Sequence, residues 1–456
     1  MKKNLKSILT LCLTLTLVFS LAACGQKAEE TPDGAQDDLV VDGPAVDVEQ
    51  HPVTARLGLS GRGDQPVDAD VIGGAVERQQ GFRNGIGPDD REAFLQGLPG
   101  GEPQDFPRPG KEDEARVRMR ERQTGEEFLR TLTPDTFLPA SSSSRLLTGN
   151  FTVYEELEAE LAHLFGTEAA LIFNSGYHAN TGILPAVSDA RTLILADKLV
   201  HASLIDGIRL SAAKCVRYRH NDLAQLERLL KEHHSAYRRI IIVTESIFSM
   251  DGDRADLQAL AGLKRRYDNV LLYVDEAHAF GVRGKRGLGC AEESGCIRDI
   301  DFLVGTFGKA AASVGAYIVC RKTVREYLVN RMRTLIFTTG LPPVNIAWTL
   351  FVVRRLADMQ ERREHLAHIG RTLREALQAR GYTCPGASHI VPMIVGQSAD
   401  TVLQAEALQR HGFYALPVRP PTVPEGTSRI RFSLTAEIRS EEIEELTNYL
   451  TVHTQT

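Results

Sequence analysis

Residues 301–320 read DFLVGTFGKAAASVGAYIVC. Two apolar runs, each of the length of a buried strand, flank a turn of glycine, alanine and serine that holds one lysine, Lys309. A core strand would exclude that lysine, and a surface loop would surround it with polar partners. An ammonium group among residues kept this small asks for a special setting, and the neighbouring sequence supplies one.

Comparable apolar runs recur upstream at AALIF (169–173), TLILA (192–196), IIIV (240–243) and NVLLYV (269–274), separated by loops or helical stretches such as LAQLERLLKEHH (223–234). Continuous apolar strands alternating with helices predict an α/β fold with a mainly parallel sheet covered on both faces. YEELEAELAHLF (154–165) places Leu157, Leu161, Leu164 and Phe165 on one helical face. A short helix from Glu126 to Leu132 is expected to open the folded part. From about Leu341 the pattern changes to helical stretches near 344–379, a strand IVPMIVG (390–396), and RIRFSLTA (429–436) before a closing helix. This predicts a large domain over 126–340 and a small C-terminal α+β domain over 341–456.

The front of the chain reads differently. Lys2, Lys3 and Lys6 precede an apolar run that ends in LAAC at Cys24, the pattern of a secretory signal over 1–24. That ending resembles the lipobox of bacterial lipoproteins, which implies lipidation of Cys24 and a membrane anchor. Residues 25–125, rich in Asp, Glu, Gly, Pro and Gln, read as a disordered acidic linker. The later cysteines, Cys215, Cys290, Cys296, Cys320 and Cys384, form an odd, scattered set without CxxC spacing, as in reduced cytoplasmic proteins. Signal and cysteines therefore point to different compartments. The 456 residues carry a net charge of -6 and no long Lys/Arg run, which excludes the basic stripe of a nucleic-acid binder and leaves small molecules as ligands.

Ligands of open α/β sheets sit at the carboxyl ends of the strands. Following the apolar runs in turn are NSGYHANTG, a turn into a helix whose first N–H groups suit a phosphate; DKLVHASL with His201; TESIFSMDGD with Glu245, Ser249 and Asp251; DEAHAFG with Asp275 and His278; and the turn with Thr306 and Lys309. DEAH could belong to an ATP-driven helicase, but each Gly-Lys pair (110, 284 and 308) is followed by Glu, Arg or Ala, so no Walker A loop exists. The set instead meets the needs of pyridoxal 5'-phosphate. Its aldehyde requires an amine of lowered pKa, its pyridine nitrogen a carboxylate, and its phosphate a bed of backbone amides and hydroxyls. No metal-ligand spacing is present. Glu245 reads as a structural hydrogen-bonding partner.

EAALIFNSGYHAN (168–180), DKLVHASLIDG (197–207), TESIFSMDGD (244–253), VDEAHAFGVRGKRG (274–287) and TFGKA (306–310) resemble, in order and spacing, the α-oxoamine synthases, pyridoxal-phosphate enzymes of fold type I. The resemblance runs from about Phe128 to the end. It implies that Lys309 forms the Schiff base and moves the substrate α-proton, that Asp275 pairs with the pyridine nitrogen, that His278 and Ser249 contact the ring 3'-oxygen, and that His201 stacks on the ring. Backbone amides of Gly176 and Tyr177 and the hydroxyl of Thr306 would hold the phosphate, with Thr338 of FTTGLPP reaching across from a second subunit of a homodimer. Arg431, and less directly Arg419, would bind the amino-acid carboxylate.

The stretch RPPTVPEGTSRIRFSLTA (419–436) resembles the biotin-pathway branch of the family. That branch implies condensation of L-alanine with a pimeloyl thioester on coenzyme A or acyl carrier protein. A sister synthase using glycine and another acyl-CoA, or a catalytically impaired membrane-anchored lipoprotein, are the alternatives. The family's N-terminal Asn-Asp-Tyr-Leu-Gly type segment is not found where the signal and linker stand. Reduced cover over the site, and a fused or misassembled reading frame, are the corresponding expectations.

Overall fold

The computed structural model describes residues 124–453. The signal, Cys24, and the linker up to residue 123 lie outside the described residues. Each apolar run of the first half is a strand of one seven-stranded sheet: β1 (Ala169–Phe173), β2 (Thr192–Asp197), β3 (Lys214–Tyr218), β4 (Arg239–Glu245), β5 (Val270–Asp275), β6 (Phe302–Thr306) and β7 (Ala316–Cys320). The order is β1-β7-β6-β5-β4-β2-β3. Neighbours from β6 to β3 pair in parallel. Only β7 runs against its neighbours, β1 and β6. Burial on both faces explains the unbroken apolar runs: every residue of β2 is buried. The sequence reading did not find β3, because KCVRY is half-exposed at the sheet edge and needs only β2 beside it.

The helix Thr152–Phe165 buries Leu157, Leu161 and Phe165, leaves Leu164 partly covered, and stops at Gly166, whose φ of 63° suits a residue without a Cβ. The opening helical segment spans 124–129, slightly ahead of the expected 126–132, and its Phe128 packs edge-on against Trp348 and Phe351.

A second sheet, β8 (Ile390–Gly396), β9 (Leu416–Val418) and β10 (Ser428–Ser433), has the antiparallel order β8-β10-β9. Leu366, Leu373, Met393 and Ile430 belong to its separate core. The helix Pro343–Val353, expected in the second domain, buries Ile346, Leu350 and Phe351 in the core of the large sheet. In packing terms the changeover falls between Leu356 and Leu366.

That helix also steadies the lysine turn. The Trp348 indole N–H donates to Ala312 O at 2.9 Å, and Ser313 Oγ lies 2.7 Å from Thr349 Oγ1. The small residues of the turn follow from crowding. A Cβ on Gly281 would meet Ala310 Cβ at 2.8 Å, and one on Gly315, at φ 101°, would meet Phe173 O at 3.0 Å. Cys215, Cys290, Cys296, Cys320 and Cys384 are all free thiols. No helix among the described residues is long and apolar enough to cross a membrane.

Candidate active site

Strands β1, β2, β4, β5 and β6 end at one edge of the sheet, which places the loops carrying Gly176, His201, Glu245, Asp275 and Lys309 side by side. At the centre, Lys309 Nζ lies 3.0 Å from His278 Nε2. Burial, followed by the positive charges of Lys309 and Arg431, pushes the His278 pKa down to about 2. The ring is therefore neutral, and Nε2 accepts a hydrogen bond from the lysine. Solvent reaches Lys309, but the surrounding protein lowers its pKa by desolvation, against the opposing charges of Asp275 and Glu245. This is the setting the small-residue turn anticipated.

Asp275, 6% exposed, is locked in place. Its Oδ2 accepts from Asn180 Nδ2 at 2.8 Å and its Oδ1 from the Ala277 N–H at 2.9 Å. Asn180 accepts the Tyr273 hydroxyl at 2.6 Å and spends its second N–H on Ser203 Oγ at 2.9 Å. Ser203 in turn donates to His201 Nδ1, which also accepts the Ser203 N–H at 3.2 Å. Burial lowers the His201 pKa, so the ring is neutral and its proton sits on Nε2. Asn180 stands in the NSGYHANTG stretch, where its residue type alone assigns it no chemistry. The available signal was spacing: Asn180 lies one helical turn after Gly176 and so shares its face. Glu245 accepts the His201 N–H, and burial, then the charge of Asp275, raises its pKa well above the usual range.

The phosphate end is built from the helix Gly176–Val187. Ser175 caps it by accepting from the His178 N–H, and the first intrahelical bond runs from Ala179 N to Ser175 O. The N–H groups of Gly176 and Tyr177 precede that bond and are the helix's leading donors. A Cβ on Gly176 would sit 3.7 Å from Thr306 Cβ, so helix end and threonine border one cradle. The Tyr177 side chain is exposed and donates to Asp206 Oδ2 at 2.9 Å, away from the cradle that its backbone N–H borders. Thr338, expected to reach the site of a second subunit, stands beside Asn174, whose Nδ2 donates to Thr338 Oγ1 at 3.3 Å and to Thr339 O at 2.7 Å.

Arg431, on β10, donates from Nε to Ser249 O at 2.7 Å, and burial lowers its pKa. It thereby joins the small sheet to the loop after β4. Arg419 is exposed, and among the described residues its side chain makes no hydrogen bond or ion pair with this cluster. The sequence reading missed His389, just before β8. Burial, then Arg431, Arg283 and Lys309, holds its pKa at about 4.

These groups fit pyridoxal 5'-phosphate: a helix end and hydroxyl for phosphate, a buried, fixed carboxylate for the pyridine nitrogen, and an amine of lowered pKa for the aldehyde. The sequence matches the aminotransferase class I and II family over residues 127–450, and the chain belongs to that family. Within it, the chain is similar to 8-amino-7-oxononanoate synthase. It is 57% identical over 308 residues to the enzyme of Haemophilus ducreyi, covering 67% of this chain and 80% of that one. The solved 8-amino-7-oxononanoate synthase of Francisella tularensis aligns with 28% identity and a TM-score of 0.59, over 66% of this chain and 88% of that one. A serine palmitoyltransferase from S. paucimobilis, solved with a PLP-myriocin aldimine, aligns with 31% identity and a TM-score of 0.67, over 72% and 82%. Pyridoxal 5'-phosphate is the cofactor of this chain, and the fold is the α/β fold of these transferases.

Proposed function

We propose that the chain condenses L-alanine with a pimeloyl thioester, on coenzyme A or acyl carrier protein, releasing the thiol and carbon dioxide to give 8-amino-7-oxononanoate. The observation that carries this reading is the Lys309–His278 pair beside an Asp275 carboxylate fixed by Asn180. When bound, the cofactor supplies an electron sink for the carbanion of the amino acid. The residues do the rest. Lys309, its pKa lowered, takes and returns the α-proton; neutral His278 orients the amine through Nε2. The Gly176 and Tyr177 amides and Thr306 hold the phosphate, and His201, with its proton fixed on Nε2, covers the ring. Arg431 offers its guanidinium to the alanine carboxylate. In this reading the enzyme is a homodimer.

The test is the visible absorption spectrum of the full chain with pyridoxal 5'-phosphate, before and after L-alanine, followed by mass analysis of products with pimeloyl-CoA and pimeloyl-acyl carrier protein. A band that Lys309→Ala abolishes and alanine shifts, with 8-amino-7-oxononanoate as product, is expected. Turnover of glycine with acetyl- or succinyl-CoA instead would assign a sister synthase. Absence of any Lys309-dependent band would overturn the enzymatic reading.

A further inference from the structure

Behind the site lies a second cluster of charged groups that the reaction does not use. His220, just after β3, has Nδ1 2.9 Å from Asp197 Oδ1 and Nε2 2.7 Å from Asp253 Oδ2. A neutral imidazole can donate from one nitrogen only, so two carboxylate partners ask for the cation. Burial of the ring works against the charge, but the hydrogen bonds to Asp197 and Asp253 override it and push the pKa up to about 10. Asp197, itself buried, also accepts the N–H groups of Leu199 and Asn221, each at 2.8 Å. Asn221, at φ 54°, donates from Nδ2 to Asp253 at 2.9 Å. Asp197 and Asp253 are the charged groups bonded to the ring, and Phe248 packs edge-on against it at 4.4 Å.

The two carboxylates occupy telling places. Asp197 ends β2 and opens the short loop to His201. Asp253 closes the loop that begins at Ser249, whose carbonyl Arg431 grips and whose Asp251 pairs with Arg429 on β10. We propose that His220 is a positioning residue: an imidazolium that binds the end of β2 to the loop after β4, and so fixes His201 and the Ser249–Arg431 contact from behind. A merely space-filling histidine would need neither bond. The consequence for cofactor and substrate rests on the proposed function; the charge and the clamp do not.

The experiment has three readouts on the full chain. Nitrogen NMR of histidine-labelled protein at pH 8, with His220→Gln used for assignment, is expected to show both His220 ring nitrogens protonated. Amide exchange in residues 197–203 and 247–254 should be at least tenfold faster in His220→Gln while β5 is unchanged, and pyridoxal 5'-phosphate should bind about tenfold more weakly. Asp253→Asn, which removes one carboxylate and keeps the ring, should show the same local loosening and serves if His220→Gln does not fold. A neutral His220 at pH 8, or exchange that is unaltered or raised equally throughout the sheet, would overturn the proposal. If the wild type binds no cofactor, the enzymatic reading fails while the NMR and exchange results still decide the clamp.

Discussion

Asn180→Ala strikes the polar network at its hub. Asn180 is 1% exposed, donates to the Asp275 carboxylate, and is the partner of a Tyr273 hydroxyl that is itself fully buried. Losing a hydrogen bond to a charged group costs about 1.5–3 kcal/mol, and stranding a buried hydroxyl adds about 1–3 kcal/mol. The expected destabilisation of the apoprotein is therefore about 2.5–6 kcal/mol, read as a lower urea midpoint with unchanged slope. The sharper test is the double variant. Tyr273→Phe alone removes one bond, but in the Asn180→Ala background it removes an unsatisfied group. Asn180→Ala/Tyr273→Phe should thus be more stable than Asn180→Ala by about 1 kcal/mol or more. If the two losses simply add, or if Asn180→Ala costs under about 1 kcal/mol, Asp275 is fixed by something other than this network and the reasoning fails.

Lys309 should lose its proton below the ordinary lysine value of 10.5, because desolvation outweighs Asp275 and Glu245. The rate of its modification by an amine reagent against pH checks this, and a midpoint at or above 10.5 refutes it. Its contribution to stability should rise with pH between the lowered value and 10.5, since the unfolded chain binds the proton more tightly there. For Glu245 the sign is reversed. With its folded pKa raised by burial, its stabilisation is fully present below the unfolded value near 4.5 and is lost as pH rises. Glu245→Gln should therefore match the wild type near pH 4.5 and exceed it in urea midpoint at pH 7. Phe128→Ala, which empties the site against Trp348 and Phe351, should cost about 3–5 kcal/mol. Arg431→Lys, which loses the planar fork, should raise the KM for L-alanine more than it lowers kcat if that residue binds the carboxylate.

The strands of the large sheet that were legible in the sequence are those buried on both faces, since only they must be apolar throughout. β3 and β9 were not: the first is an edge strand of mixed exposure, and the second is a three-residue edge strand that contains Pro417. The same distinction holds at the site. Lys309, Asp275 and His278 stand directly after apolar runs, in residue types whose chemistry is readable one at a time. Asn180 and Ser203 act on other side chains, and their roles exist only once β5 and the helices at 176–187 and 202–209 are brought together. His389 comes from the segment before β8, which sequence spacing alone does not connect to the lysine turn.

The turn that carries Lys309 is tied to the rest of the protein by the indole of Trp348, and the chain contains no other tryptophan. Its intrinsic emission at long wavelength therefore comes from a single indole, bonded to Ala312 three residues after the reactive Lys309. A displacement of this turn on cofactor addition should therefore change the emission of that one indole, a readout that needs no attached dye.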